Sequence, residues 1–116
     1  MKFGILIKEG QYTHQAMDSA YNFIVAAMEL GHEIKGVFFY NEGVCNTCGT
    51  MEPPRDERNI RNLLLGLHEE GIRLIACVAA GKRRGLVAQT VSGAAEISGL
   101  GQLLELCVES DRLITF

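Results

Sequence analysis

Short apolar runs at residues 3–7, 33–40 and 73–80 alternate with amphipathic stretches that stop at Gly31 and Gly71, and this rhythm constrains the fold more than any other feature of the chain. The first run reads as a strand, followed by a polar, glycine-containing turn over residues 8–14. From Gln15 onward, Ala16, Ala20, Phe23, Ile24, Ala27 and Met28 recur at steps of three and four, which predicts a helix with Gly31 as its stop. Residues 33–40 read as a second strand, and residues 41–54, dense in Gly, Asn, Thr and Pro, as a long loop. Asp56 is placed to cap a helix with Ile60, Leu63, Leu64 and Leu67 on one face. Residues 73–80 form the third apolar run. Residues 81–99 carry less pattern, with Ile97 in a brief strand or a turn. Ser98 or Gly99 opens a last helix through Leu100, Leu103, Leu104 and Cys107, and residues 112–116 end the chain as a strand. Such alternation predicts an α/β fold, a three-layer α/β/α arrangement on a mainly parallel five-stranded sheet covered by helices on both faces.

At 116 residues the chain reads as one domain over 1–116, and its 47% hydrophobic and 22% charged content fits a soluble globular protein. No apolar run approaches the roughly 18 residues a membrane span needs, so no membrane contact is expected. The opening run is apolar for only five residues before Lys8 and Glu9, which gives no signal-peptide core and makes the cytoplasm the expected location. Eleven basic against 14 acidic residues leave a net charge of -3, which offers no broad field for a polyanion, so no direct contact with nucleic acid is expected. Four cysteines in such a chain point away from structural disulfides and toward metal binding or thiol chemistry.

In an open parallel sheet, ligands and reacting groups gather at the carboxyl ends of the strands, here residues 8–14, 40–55 and 79–85. Those loops carry no GxGxxG, Walker A, HExxH or GxSxG pattern, so nucleotide, zinc-protease and serine-esterase readings lack their signatures. Cys77 stands near the end of the third strand, followed by Lys82, Arg83 and Arg84. A neighbouring cation can bring a thiol from about 8.5 to about 7, at about 1.4 kcal/mol per unit, and would make Cys77 reactive at the rim of the sheet. The same residues also read as a small buried hydrophobe beside a solvated basic turn. Cys45-Asn46-Thr47-Cys48 is a CxxC, a spacing that suits a redox dithiol or half of a zinc site. His14, Cys77 or a second subunit would have to complete such a metal site. His14, at the start of the first helix, is placed to orient or deprotonate a thiol, or to make a local hydrogen bond. Cys107, beside Leu103 and Leu104, reads as core packing, His32 and His68 as peripheral. Asp18 and Asp111 have no carboxylate neighbour that would suit paired acid/base work.

Taken together, Glu9-Gly10 through Tyr12, His14-Gln15-Ala16, Asp18-Ser19-Ala20-Tyr21, Gly31-His32-Glu33-Ile34, Val37-Phe38-Phe39-Tyr40, Gly43-Val44, Cys77-Val78-Ala79-Ala80, Arg83-Arg84-Gly85, Ser98-Gly99-Leu100-Gly101 and Asp111-Arg112 resemble the DsrE/TusD proteins. The resemblance implies a DsrE-like fold, commonly assembled as a hexamer, whose cysteine after the third strand carries sulfane sulfur as a persulfide; Cys77 matches that cysteine. It implies no cofactor. It also implies TusB/TusC-like or DsrF/DsrH-like partner subunits, or a homo-oligomer, with a TusA-like donor and a TusE- or DsrC-like acceptor, in tRNA uridine thiolation or sulfur oxidation. Lys82, Arg83 and Arg84 would then set the thiolate, dock an acidic carrier or pack at a subunit boundary. Two alternatives stand beside this reading: a noncatalytic assembly subunit of the same fold, and a metal or redox module built on Cys45 and Cys48. The chain departs from the family in that CxxC, where members carry polar residues such as Asn and Tyr, and in a shorter stretch between Gly85 and Ser98.

Overall fold

Gly31 and Gly71 do stop the first two helices. At φ 85° Gly31 lets the chain turn back, so that its own N–H reaches the Met28 carbonyl and that of His32 the Ala27 carbonyl, and Gly71 repeats the pattern. The computed structural model describes residues 1–116. In chain order they form β1 (Lys2–Ile7), α1 (Ala16–Glu29), β2 (Glu33–Phe39), a 3-10 helix (Asn41–Thr47), α2 (Ile60–Glu69), β3 (Leu74–Cys77), α3 (Val78–Arg83), β4 (Glu96–Ser98), α4 (Leu100–Glu109) and β5 (Arg112–Thr115).

All five strands are parallel, in the order β4-β3-β2-β1-β5, with Ile5 opposite Val37, Phe38 opposite Ile75, and Cys77 opposite Ser98. Right-handed crossovers send α1, α2 and α3 over one face while the chain steps toward β4, and α4 over the other as it returns to β5. Phe3 of β1 meets Phe23 of α1 edge-on at 5.2 Å, whereas a side chain on its neighbour Gly4 would collide with Ser110 and with Leu106 of α4. With both faces covered, β3 is buried at all four positions and β2 over Gly36–Phe39, continuous runs rather than alternating ones.

The structure departs from the sequence expectations at four places. The third strand ends at Cys77, not Ala80, because Val78–Arg83 turns into α3; Ala, Lys and Arg favour helix and add little to a strand. Asn59, not Asp56, caps α2, its side-chain oxygen accepting the Asn62 N–H at 3.1 Å. The loop after β2 begins with the 3-10 helix, which presses Gly43 so closely on the end of β1 that a side chain there would overlap the Ile7 carbonyl. Lastly, α4 anchors on Leu106, which fills the space that Gly4 and Gly36 leave open. Cys107 is therefore exposed rather than in the core, and Leu100, Leu104 and Val108 form an outward apolar stripe at 51%, 66% and 78% exposure. Ile97 lies in the short β4. No helix is long and apolar enough to cross a membrane.

The close approach at Gly43 is testable. Gly43→Ala is expected to lower the unfolding free energy by about 2–3 kcal/mol, read as a lower urea midpoint at unchanged slope. Gly93→Ala, in open space, should stay within about 0.5 kcal/mol of the parent. Equal stability of the two variants would show that the 3-10 helix is not pressed on β1.

Candidate functional site

The connections after β1, β2 and β3 meet at the carboxyl edge of the sheet, and three of the four cysteines are there. Cys77 is the last residue of β3 and also the N-cap of α3, with no side-chain hydrogen bond to the first turn. Only 1% of it is exposed, and it belongs to the same buried cluster as Val44 and Ala80. The expectation of a thiol reachable at the rim is corrected for the isolated chain: the helix starts without a linking residue and the 3-10 helix packs against both β3 and α3.

The CxxC occupies the end of that 3-10 helix. Its two middle residues are the buried ones. Asn46 Nδ2 donates to the carbonyls of Glu9 and Gly43, both at 2.9 Å, and Thr47 Oγ1 donates to the Val44 carbonyl at 2.6 Å. Asn46 Oδ1 is buried without a hydrogen-bond partner. Pegging Asn46 and Thr47 inward leaves Cys45 and Cys48 as the half-buried pair, both free thiols. The segment after α3 is zipped onto this corner: Gly49 N–H donates to the Thr90 carbonyl and Ser92 N–H to the Thr47 carbonyl, both at 2.7 Å, which pairs Cys48 with Val91 in antiparallel fashion. Within the chain, neither His14 nor Cys77 completes a set of three or more His, Cys, Asp or Glu side chains that could hold a metal ion.

The basic residues are placed differently from the expectation. Lys82 and Arg83 are exposed in the last turn of α3, at the opposite end from Cys77. Arg84 turns back, its Nη1 donating to the Ala80 carbonyl at 3.0 Å and its Nη2 standing 3.5 Å from Glu42 of the 3-10 helix. That puts its charge on Cys45. Burial pushes the Cys45 thiol up from its usual range, Arg84 pulls against it, and Cys48 and Glu42 add to the rise.

His14 is mostly exposed and pairs with Glu9 rather than with a thiol. Sequence reasoning missed the group behind it. Arg58 Nη2 donates to the His14 carbonyl at 2.7 Å, Arg58 Nε lies 3.0 Å from Asp18 as an ion pair off the N–H axis, and the guanidinium sits 5.6 Å from the Tyr12 ring centroid. The Tyr12 hydroxyl in turn accepts the Ile60 N–H at 3.2 Å. These contacts hold Tyr12 at φ 67°, a left-handed conformation that costs a non-glycine residue on the order of 1 kcal/mol. Arg58 thus ties the first loop to the start of α2, and only its charge, not any spacing, hinted at this.

The sequence signature of the DsrE/DsrF-like family spans residues 1–116. A protein of Allochromatium vinosum named "Putative sulfurtransferase DsrE" is 45% identical over all of this chain and 98% of its own length. The sulfurtransferase TusD of Klebsiella pneumoniae is 36% identical, with both chains fully covered. These alignments run over 128 positions against 116 residues here, so the relatives carry positions this chain lacks. Among solved structures, the ychN protein from E. coli superposes with a TM-score of 0.89 at 19% identity over 100% of this chain and 99% of its own. A protein of unknown function from Methanobacterium thermoautotrophicum gives 0.80 at 17% identity over 99% and 98%. At such identities the likeness is one of fold, the three-layer arrangement described above.

The electrostatics at Cys45 give a signed prediction. In Arg84→Gln the pH midpoint for alkylation of Cys45, followed by peptide mass mapping, should rise, because burial, Cys48 and Glu42 then act unopposed. In Glu42→Gln it should fall. Shifts in the same direction would show that Arg84 and Glu42 do not act on this thiol.

Proposed function

The chain belongs to the DsrE/DsrF-like family, and on that premise we propose that it is a sulfurtransferase subunit holding sulfane sulfur as a persulfide on Cys77 and passing it to a cysteine of a partner protein. The observation that carries this reading is the position of Cys77, at the junction of β3 and α3, in a chain aligned end to end with relatives named sulfurtransferase.

The exchange is symmetrical. A Cys77 thiolate attacks the outer sulfur of a donor persulfide; a new S–S bond forms, the donor's S–S bond breaks, and the donor leaves as a thiolate. In the second step an acceptor thiolate attacks the outer sulfur on Cys77, and Cys77 becomes the leaving thiolate. A thiol of moderate acidity suits both, since one too acidic is a poor nucleophile and one too basic a poor leaving group. No cofactor takes part.

Because Cys77 is 1% exposed, transfer includes a movement that uncovers it. The 3-10 helix packs against both β3 and α3, and the segment after α3 is fastened to it by the two backbone hydrogen bonds that pair Val91 with Cys48, so release of that segment is the movement we assign to opening this corner. Lys82 and Arg83, exposed beside it, suit the acidic surface of a carrier protein of the TusA-like, TusE-like or DsrC-like kind. The outward stripe of Leu100, Leu104 and Val108 supports assembly with further copies or with TusB/TusC-like or DsrF/DsrH-like subunits, as in a hexamer. The same exchange serves tRNA uridine thiolation and sulfur oxidation.

Incubation with a persulfide donor should add about 32 Da, one sulfur, that is stable to intact-mass measurement and removed by an acceptor thiol. The stable adduct should be missing in Cys77→Ser. An undiminished adduct in that variant would refute the assignment.

A further inference from the structure

Nothing in the Cys77 exchange uses the CxxC, yet the fold sets that pair up for two-electron chemistry. A 3-10 helix advances about 2 Å per residue with three residues per turn, so residues three apart eclipse, their Cα atoms about 6 Å apart on one side, within the span a disulfide bridges. Cys45 and Cys48 have that relation, and the turn between them is closed by the Cys48 N–H on the Cys45 carbonyl at 3.2 Å. Their intervening residues are locked inward, so the pair is presented rather than packed away. Arg84, fixed between the Ala80 carbonyl and Glu42, supplies a cation on the Cys45 side, and Cys48 Sγ contacts the Thr50 hydroxyl at 3.2 Å. Cys77, at 1% exposed, lacks that access to solvent.

We propose that Cys45 and Cys48 form a dithiol that reduces the sulfane sulfur of small persulfides to hydrogen sulfide, becoming a disulfide in the process. In the first step the Cys48 thiolate attacks the outer sulfur of R–S–SH; the substrate's S–S bond breaks, R–S⁻ departs and takes up a proton, and Cys48 carries the persulfide. In the second step Cys45 attacks the inner sulfur of that persulfide. A Cys45–Cys48 S–S bond forms, the bond to the outer sulfur breaks, and the outer sulfur leaves as hydrosulfide, which takes the proton given up by Cys45. The balance is one persulfide and two protein thiols giving one R–SH, one disulfide and one H₂S, with the two thiols oxidised by two electrons and the sulfane sulfur reduced by two. Each chain turns over once until an external dithiol reduces the pair. The order of attack follows from burial, which pushes the Cys45 thiol up, while Arg84 steadies it as it ionises for the second step.

The full-length protein, reduced and freed of reductant, is mixed with cysteine persulfide, and sulfide, free thiols and intact mass are followed. The parent should release about one equivalent of sulfide per chain and lose two thiols, with the disulfide mapped to Cys45 and Cys48. Cys45→Ser should release at least about tenfold less sulfide and trap about 32 Da on Cys48, whereas Cys48→Ser should release equally little sulfide and trap no sulfur at this loop. Undiminished sulfide release in Cys48→Ser, or a parent that gains sulfur without forming the Cys45–Cys48 disulfide, would overturn the proposal. Cys77→Ser separates the two readings, for it should keep the sulfide burst while losing the stable adduct. A parent that loads Cys77 but gives no burst sinks this inference alone, and a burst without a Cys77 adduct sinks the sulfur-carrier reading alone.

Discussion

The structure depends on five strands that all run one way. A parallel strand cannot be reached by a tight turn, so every connection crosses a face of the sheet, and the right-handed sense of those crossings leaves little freedom in where each helix lies. Two consequences matter for the chemistry. The loops that follow β1, β2 and β3 open at one edge, which brings residues 8–15, the 3-10 helix and α3 together although they are far apart in sequence. The central strands are also covered on both sides, so a residue at the end of β3 begins its life in the core, and Cys77 is drawn inward with Ala76.

That burial separates two kinds of thiol within a few residues of one another in the fold. Cys77, 1% exposed, is shielded from adventitious oxidants and from water, which suits the sulfur-carrier role proposed for it. Cys45 and Cys48 stand in partial contact with solvent, with a cation and a hydroxyl beside them. The routing of Arg84 makes the difference. Had α3 continued as strand, the basic triplet would have alternated across the sheet; as a short helix closed by Gly85, it swings Arg84 back over the 3-10 helix and leaves Lys82 and Arg83 in solvent.

Much of this was legible in the residues, and the failures have physical causes. Apolar runs and glycine stops located β1, α1, β2, α2 and β5 because each is a local pattern whose period survives folding. Cys77 at the strand end and the CxxC in the second loop were also visible in order and spacing. What spacing cannot carry is the contest between a strand and a helix in a run as short as Val78-Ala79-Ala80, which both accommodate, and that contest decided whether Cys77 faced out or in. Cys107 was misplaced for a related reason: the longest apolar stripe on α4 is not the one that meets the sheet, because Gly4 and Gly36 create a slot for Leu106 that only the paired strands reveal. The Arg58 contacts with Tyr12, His14 and Asp18 span forty residues or more and had no sequence signal beyond a charge.

Cleavage after Arg73 and Lys82 yields one peptide, Leu74 to Lys82, in which Cys77 is the only cysteine. Tandem mass mapping of that peptide, from protein taken out of its own cells and alkylated at once, reads the sulfur carrier directly. A carrier role for Cys77 requires a fraction bearing one added sulfur of about 32 Da on that residue, depleted when the acceptor protein is supplied in excess. Added sulfur confined to the peptides of Cys45, Cys48 or Cys107, with the Leu74–Lys82 peptide always bare, would contradict it.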